Sequence, residues 1–209
     1  MFGTAAKWRS SESTLAQASV LTLAANRHQS SVSGLARPSP MLSAMKAALV
    51  TGGSAGIGLA IARMLLEEGF GLTIAASRAE SLAAAVAVLG LVHTVRADVS
   101  SEEDCARIVS AHREQFGRLD LLVNSAGVLV SGGIEDVPTD AWDRMHAVNA
   151  RAIYVLAGLT LPLLRESRGL VVNVASLGGK HGIAGLAAYA ASKAAVISLT
   201  QVLQRRGQG

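Results

Sequence analysis

Five short apolar runs, separated by longer stretches of helical periodicity, organise the chain from residue 46 onward. The runs are continuous and rich in Val, Leu and Ile without alternation, as expected for parallel strands that are buried on both faces. They cover residues 47–51, 72–76, 91–96, 119–124 and 170–175. The stretches between and after them predict helices at about 57–68, 79–88, 102–116, 140–164 and 187–204. Strands that alternate with helices predict a doubly wound α/β fold of three layers, with ligands at the carboxyl ends of the strands.

The first apolar run leads directly into a glycine-rich turn, Thr51-Gly52-Gly53-Ser54-Ala55-Gly56-Ile57-Gly58, and then into a helix. Glycines at 52, 56 and 58 allow a tight turn, a close approach of the backbone to a pyrophosphate, and close packing of the helix on the strand. The N-terminus of the helix attracts the anion. This order of strand, glycine turn and helix predicts a dinucleotide site.

The end of the second predicted strand bears on the choice of cofactor. A carboxylate there would bind the ribose 2′-hydroxyl of NAD, whereas an arginine would accommodate the 2′-phosphate of NADP. The sequence has no acid before Glu80, and Arg78 follows Ser77. The pattern therefore favours NADP, with NAD still possible, because Arg78 could instead be a solvated charge that opens the next helix. Arg96 could assist, although a structural role fits its place before Asp98.

Candidate redox chemistry lies near the end of the chain, where Tyr189 and Lys193 are four residues apart and Ser176 precedes them. On a helix this spacing places both side chains on one face, where the ammonium can favour the phenolate and make a tyrosine usable as a general acid/base. The spacing alone also fits an exposed helical pair, and Ser176 also fits a helix cap. Asn149 lies within a helical stretch, where asparagine is unfavourable, and this favours a functional role.

Together these motifs resemble the short-chain dehydrogenase/reductase family over about Lys46 to Leu203. They follow the family order, from the glycine motif through Asp98-Val99, Asn124-Ser125-Ala126-Gly127, Asn149 and Ser176 to Tyr189 and Lys193. Ser125 is a mild departure, because the family usually has asparagine there. The resemblance implies a Rossmann fold and an oxidoreductase that transfers a hydride between a nicotinamide cofactor and a ketone or secondary alcohol, 3-oxoacyl thioesters included.

The resemblance also implies residue roles. Tyr189 would be the general acid/base, and Lys193 would assist it and hold the nicotinamide ribose. Ser176 would bond the substrate oxygen, and Asn149 would hold a water that connects Lys193 to solvent. Asp98 and Val99 would flank the adenine, although a turn or cap role for Asp98 stays open. His181, five residues past Ser176, is either a substrate contact or an ordinary loop histidine. The implied cofactor-binding residues are Thr51, Gly52, Ser54, Gly56, Ile57, Gly58, Ser77, Arg78, Asp98, Val99, Asn124, Ala126, Gly127, Tyr189 and Lys193.

The carboxyl end departs from the family pattern. By resemblance, a complete member has two further strands, a Pro-Gly turn and a segment over the substrate, whereas this chain continues with the polar residues 204–209. We therefore expect a truncated Rossmann domain at 46–204 that lacks the last two strands, and a disordered tail at 205–209. The strand at 170–174 would then be an exposed apolar edge. The alternative function is a catalytically silent remnant that only binds nucleotide or another subunit.

Residues 1–45 form a lead of different composition, rich in Ser and Ala. It contains Lys7, Arg9, Arg27 and Arg37 against the single acid Glu12. Such a segment resembles an organelle transit peptide, or else it is an upstream extension before a start at Met41 or Met45. We expect it to be disordered, and we expect a cytoplasmic protein, or a mitochondrial or plastid one if the lead is a transit peptide.

Composition narrows the remaining classes. The formal net charge is +4, but residues 46–209 contain 15 basic and 14 acidic side chains, which does not indicate a nucleic-acid surface. No apolar stretch reaches the ~20 residues of a membrane span, so we expect no membrane partner. A single cysteine, Cys105, excludes an internal disulfide, and the scattered histidines predict no metal site. The expected partner is a small-molecule substrate. By resemblance, the helix at 140–164 and the helix after Ser192 would contact a second subunit, an expectation that is doubtful for a shortened chain.

Overall fold

The structure is a computed structural model, and it describes residues 18–22 by their backbone and residues 45–206, with side chains from 45 to 204. The strands are β1 Ala18–Thr22, β2 Ala47–Thr51, β3 Gly71–Ala76, β4 His93–Arg96, β5 Leu121–Asn124 and β6 Leu170–Val174. The helices are α1 Gly56–Glu67, α2 Ala79–Leu89, α3 Glu102–Phe116, α4 Thr139–His146, α5 Ala152–Ser167 and α6 Ala187–Arg206. A π-helical turn, Ala147–Arg151, joins α4 to α5, and a 3₁₀ turn, Leu177–Gly179, follows β6.

All six strands form one sheet in the order β1-β6-β5-β2-β3-β4. Strands β2 to β6 run parallel, and the chain reverses its direction of travel across the sheet between β2 and β5. A crevice for ligands opens at such a reversal, outside the carboxyl ends of the strands. The predicted three-layer, doubly wound α/β fold is confirmed.

The central strand β2 explains why its sequence is continuously apolar. Leu49 lies in one core with Ile108 of α3 and Leu156 of α5. Its neighbours Ala48 and Val50 lie in the other core, against α1 and α2. Successive side chains of a strand point to opposite faces, so a strand that is covered on both sides needs apolar residues at every position.

The apolar edge expected at β6 is not exposed in the structure. Strand β1 pairs antiparallel with β6 over its whole length, from Ala18 opposite Val174 to Thr22 opposite Leu170. An edge strand presents unpaired N–H and C=O groups that another segment can satisfy, and here part of the lead does so. The rest of the predicted disordered lead lies outside the described residues.

Helix α6 extends to Arg206, two residues beyond the predicted domain end at 204. Arginine is a good helix former, which accounts for the difference. The remainder of the predicted tail lies outside the described residues.

The helical stretch Thr139–Ser167, which comprises α4, the π-helical turn and α5, spans 29 residues, with a mean hydropathy of 1.5 in its most apolar window. By length and composition it is apolar enough to cross a membrane. The expectation that no apolar stretch reaches this length is therefore wrong for this helix, whose apolar residues are interspersed with polar ones. Of that window 56% is buried inside the protein, and Leu156 and Leu164 belong to the core. A core helix therefore accounts for this apolarity.

Candidate active site

The turn between β2 and α1 depends on its glycines. Gly52 has a φ of +67°, and a Cβ on it would lie 2.8 Å from the main chain of Ala126. A Cβ on Gly58 would lie 2.2 Å from the carbonyl oxygen of Gly52. Any side chain at either position would push the turn apart, so glycine brings α1 directly over the end of β2 and against the loop after β5.

The start of α1 has the features of an anion site. Its cap residue, Ala55, provides no side-chain hydrogen bond, so the first N–H groups of the helix are not capped by that side chain. Gly56 has a φ of +51°, and no other group lies within 4 Å of the place a Cβ would take. This open cradle at a helix N-terminus fits a pyrophosphate.

Two other predicted residues of this turn, Thr51 and Ser54, bind neighbouring elements. The Thr51 hydroxyl accepts a hydrogen bond from the Ala126 N–H at 3.4 Å. The Ser54 hydroxyl donates to the Ser81 hydroxyl of α2 at 3.0 Å. Ile57 is 37% exposed at the first turn of α1. The turn is therefore fixed on both sides of the crevice.

Two guanidinium groups mark the corner at the ends of β3 and β4. Arg78 and Ser77 follow β3 and are exposed. Arg96 stands opposite Ala76 in the parallel register, and its Nε donates to the Ser77 carbonyl oxygen at 3.4 Å. Within residues 45–206 the side chain of Arg78 has no hydrogen-bond or ion-pair partner. The corner is positively charged and suits an anionic group.

Asp98 is held by several donors in the turn after β4. Its Oδ1 accepts from the N–H and the hydroxyl of Ser100 at 3.0 and 2.8 Å, and its Oδ2 accepts from Nη2 of Arg144 at 2.9 Å. Burial alone would raise the pKa of this carboxyl, but the Ser100 and Arg144 hydrogen bonds outweigh burial and hold the pKa below its ordinary value. The turn role that the sequence left open is thus present, while the side chain stays 40% exposed.

Val99 is buried beside Asp98, and its carbonyl oxygen accepts from the thiol of Cys105 at 3.2 Å. Burial raises the pKa of Cys105 to about 11, so the thiol stays protonated near neutral pH. Cys105 is therefore a packed helix residue and not a nucleophile.

Asn124 braces the sheet. Its Nδ2 donates to Oδ1 of Asn173 at 2.8 Å, and Asn173 in turn donates to the hydroxyl of Thr200 on α6 at 2.9 Å. All three side chains are buried. Oδ1 of Asn124 has no partner among the described residues. This chain of hydrogen bonds connects β5, β6 and α6.

Gly127 lies between two of the predicted catalytic residues. A Cβ on Gly127 would lie 3.4 Å from Oδ1 of Asn149 and 3.7 Å from Nζ of Lys193. The glycine thus leaves room where the loop after β5 passes the amide and the ammonium.

Asn149 is fully buried in the π-helical turn. Its Oδ1 accepts from the Val128 N–H at 2.8 Å, and its Nδ2 donates to the Val128 carbonyl oxygen and to the Ser192 hydroxyl, both at 2.9 Å. One amide therefore connects the helix, the loop after β5 and α6. Single π-helical turns are frequent at functional sites.

Lys193 lies deep in the same place. Its side chain is buried, and its Nζ donates to the Val174 carbonyl oxygen at 2.8 Å. Burial lowers the pKa of Lys193 to about 8. The Nζ atom lies 5.9 Å from the centre of the Tyr189 ring. Lys193 can therefore exchange a proton near neutral pH, and its Nζ lies over the Tyr189 ring.

Ser176 and Tyr189 both lie close to Gly178 of the 3₁₀ turn. The Ser176 hydroxyl caps this turn by accepting from the Gly178 N–H at 3.2 Å, so the cap role left open by the sequence is present. A Cβ on Gly178 would lie 3.5 Å from Oγ of Ser176 and 3.9 Å from Cδ1 of Tyr189. A Cβ on Gly179 would lie 2.6 Å from the backbone carbon of Lys193. The turn is thus pressed onto α6.

The structure brings Asn149, Ser176, Tyr189 and Lys193 together beyond the carboxyl ends of β5 and β6. Gly178 and Gly179 belong to this site, and sequence reasoning missed them, although a glycine pair directly after Ser176 was a visible signal. His181 lies on the exposed loop that follows, where its backbone N–H donates to Leu177.

Comparisons with known proteins agree with this geometry. Residues 46–208 match the family model described as short chain dehydrogenase. An uncharacterized oxidoreductase of Staphylococcus saprophyticus is 37% identical over 167 residues, which cover 77% of this chain and 71% of that protein. An uncharacterized oxidoreductase of Staphylococcus aureus strain USA300 is 37% identical over 163 residues, with the same two coverages.

Two solved structures share the fold. Levodione reductase has a TM-score of 0.71 and 34% identity, and the match covers 74% of this chain and 63% of that one. A single-residue variant of actinorhodin polyketide ketoreductase, solved with NADPH, has a TM-score of 0.75 and 32% identity, with coverages of 79% and 66%. This chain therefore spans about two thirds of the length of either solved relative.

Proposed function

Because the chain belongs to the short-chain dehydrogenase family, we propose that it is an NADP-dependent oxidoreductase that interconverts a ketone and a secondary alcohol. The observation that carries this proposal is the clustering of Ser176 and Tyr189 around Gly178, with Lys193 beside the Tyr189 ring, on a fold whose first helix begins at an open glycine cradle. Both solved relatives named above are reductases by name. The substrate is a small molecule with a carbonyl or alcohol carbon, 3-oxoacyl thioesters included.

The protein supplies the proton and the orientation. In the reductive direction Tyr189 donates its phenolic proton to the carbonyl oxygen, and in the oxidative direction it accepts the proton back. Ser176 already accepts from Gly178, which leaves its own hydroxyl proton free to bond the same substrate oxygen. A nicotinamide cofactor, when bound, supplies or takes up the hydride. The hydride and the proton together convert the carbonyl into the alcohol.

Lys193 returns the proton to Tyr189. Its pKa of about 8 means that it exists in both protonation states near neutral pH, as a proton relay requires. One of its N–H groups is used by the Val174 carbonyl, and the others remain for the phenol side and the cofactor ribose. Asn149 fixes the Val128 peptide and Ser192, and so holds α6 at the right depth. We also propose that Asn149 holds a water molecule that connects Lys193 to solvent.

The cofactor preference is proposed from the basic corner. Arg78, with Ser77 and Arg96 beside it, would hold the 2′-phosphate of NADP, the glycine cradle would hold the pyrophosphate, and Asp98 would face the adenine. Arg78→Gln should weaken NADPH relative to NADH by about tenfold, since a charge-assisted hydrogen bond contributes about 1.5–3 kcal/mol. Arg165→Gln, which removes an exposed arginine at the far end of α5, should leave the ratio unchanged. Equal ratios in both variants would argue against Arg78 as the phosphate ligand.

The chain contains two tyrosines, and they provide a matched test of the mechanism. NADPH is first titrated by fluorescence, and a panel of ketones is then followed by NADPH oxidation. Tyr189→Phe should lower turnover at least ~100-fold, because general acid catalysis contributes about 10²–10⁴. Tyr154→Phe, which alters a side chain 69% exposed on α5, should change little. NADPH binding without turnover that depends on Tyr189 would contradict the oxidoreductase and support a protein that only binds nucleotide.

We also propose that the functional form is a homo-oligomer. An apolar groove of about 400 Å³ lies between α5 and α6, lined by residues that include Tyr154, Leu159, Leu199 and Val202. Tyr154 and Val202 are 69% and 52% exposed. A second copy of the chain would cover this surface.

A further inference from the structure

We propose that Arg144 is a positioning residue that aims the Asp98 carboxylate at the adenine end of the cofactor, and that it thereby makes the site prefer adenine over hypoxanthine. This inference rests on the proposed function, because it requires a nicotinamide dinucleotide on the glycine cradle. It adds a residue from a distant part of the chain, 46 positions from Asp98 in sequence.

The argument starts from the two carboxylate oxygens of Asp98. Oδ1 is occupied by two donors, the N–H and the hydroxyl of Ser100. Oδ2 receives one donor, Nη2 of Arg144, at 2.9 Å. A carboxylate oxygen accepts up to two hydrogen bonds, so one position on Oδ2 stays available. The side chain is 40% exposed, so this position is accessible to a ligand.

Arg144 fixes the direction in which this position points. Its Nη2 binds Oδ2 of Asp98 and its Nη1 donates to the Ser100 hydroxyl, so the planar fork spans both partners. A guanidinium that makes two parallel hydrogen bonds restrains orientation as well as distance. Without it, Ser100 would hold the carboxylate by one oxygen only, and the other oxygen could swing away.

The free acceptor position on Oδ2 of Asp98 discriminates between purine bases. Adenine has a 6-amino group that donates a hydrogen bond, whereas hypoxanthine has a 6-oxo group that accepts one. An ionised carboxylate only accepts, so it pairs with the first group and opposes the second. The Asp98 carboxyl is ionised near neutral pH, since its hydrogen bonds hold its pKa below the ordinary value. A fixed carboxylate therefore favours adenine.

The chain offers a matched control in Arg151. It lies seven positions further along the same helical stretch and binds the same turn, with Nη2 on the Ser100 carbonyl oxygen and Nη1 on Oε1 of Glu102 at 3.2 Å. Its side chain is 51% exposed, close to the 47% of Arg144. Arg151→Met thus removes an equal charge and a comparable anchor but leaves all three hydrogen bonds of the Asp98 carboxylate intact.

The test compares two dinucleotides by fluorescence titration, namely NADPH and its deamino analogue, in which hypoxanthine replaces adenine. The full chain should bind NADPH about tenfold more tightly, as one paired against one opposed hydrogen bond implies. Arg144→Met should bring the ratio of dissociation constants close to one, and Arg144→Lys, a single-point donor, should give an intermediate ratio. Arg151→Met should keep the ratio of the unsubstituted protein even if both affinities fall.

Each outcome of this titration either supports or overturns the role inferred for Arg144. A ratio that survives in both Arg144 variants overturns the inference, and so does a ratio near one in the unsubstituted protein. In these cases tight NADPH binding would leave the proposed function standing. Failure of the unsubstituted protein to bind either dinucleotide would reject the proposed function, and this inference with it. If Arg144→Met does not fold, the Arg144→Lys ratio alone decides.

Discussion

A buried histidine far from the proposed active site links the stability of the fold to the protonation of a single side chain. His112 of α3 is fully buried, its Nδ1 lies 2.8 Å from the Thr73 hydroxyl, and its Nε2 lies 3.0 Å from the Arg118 carbonyl oxygen. A carbonyl only accepts, so this pattern assigns the proton to Nε2 and makes Nδ1 an acceptor. Burial lowers the pKa of His112 to about 4.

The protein should therefore lose stability when it is moderately acidified. An unfolded histidine has a pKa of about 6.5, so the unfolded chain binds more protons than the folded one between that value and about 4, the folded-state pKa of His112. The free energy of unfolding should be independent of this group above that window and fall as the pH decreases through it. His112→Gln, which stays neutral, should show a shallower fall in urea unfolding between these limits.

His181→Gln serves as the control, because His181 is exposed in a loop. The free energy of unfolding of the His181→Gln variant should have the same pH dependence as that of the unsubstituted protein. A His112→Gln variant with the same pH slope as that control would contradict the assigned role. Carboxylates titrate in the same range, so only the difference between variants is informative.

At the level of single residues, the sequence motifs predicted the site residues that stand at fixed spacings. They did not predict the residues whose importance comes from contacts in the folded chain. Ser176, Tyr189 and Lys193 stand at fixed spacings, and any reader of the chain can find them. The Asp98–Arg144 ion pair joins residues 46 positions apart, and no local sequence pattern predicts it. Gly179 matters because of the backbone it touches on α6, a property that exists only after folding.

Between elements, the contact of the 3₁₀ turn with α6 decides how Ser176 faces Tyr189. A Cβ on Gly179 would lie 2.6 Å from the Lys193 backbone, closer than real atoms approach, whereas a Cβ on Gly178 would find its nearest contacts at 3.5 Å. Gly179→Ala should lower the free energy of unfolding by about 1–3 kcal/mol, as overpacking does. It should also reduce the proposed turnover, because the turn must move away from α6.

Gly178→Ala is the matched control one residue away. Its added methyl group makes ordinary contacts, so urea unfolding should be nearly unchanged. Equal destabilisation of the two variants would show that the loss of glycine flexibility, and not the close approach to α6, is responsible.

The strands and helices themselves were largely predictable, with boundaries within three residues in residues 47–204. Continuous apolar runs such as Ala47–Thr51 specify buried strands because both faces of the sheet are covered. The division of the predicted helix at 140–164 by a π-helical turn was not predictable, since wider hydrogen bonding has no residue signature of its own. The pairing of β1 with β6 was missed because it joins segments that are distant in sequence.

For the whole molecule, the groove between α5 and α6 leads to a prediction about assembly. Val202→Glu places a charge where 52% of the side chain is exposed, so the fold of one chain should tolerate it. If a second copy covers the groove, the burial of that charge should shift the protein toward the monomer in light scattering after size exclusion. Met64→Glu, at a 63% exposed position on α1, should not. A monomeric unsubstituted protein, or equal behaviour of both variants, would contradict the proposed oligomer.

The π-helical turn Ala147–Arg151 has a consequence for the phase of the long helix in which it lies. One extra residue per turn rotates everything on one side of it by about 100° relative to everything on the other. The residues before the turn, which include Arg144 and Met145, therefore have a different angular phase around the helix axis from the core leucines of α5 after it. Removing the extra residue of this turn would rotate Arg144 away from Asp98 relative to the core leucines of α5. The length of this segment thus sets the angular position of Arg144 relative to α5.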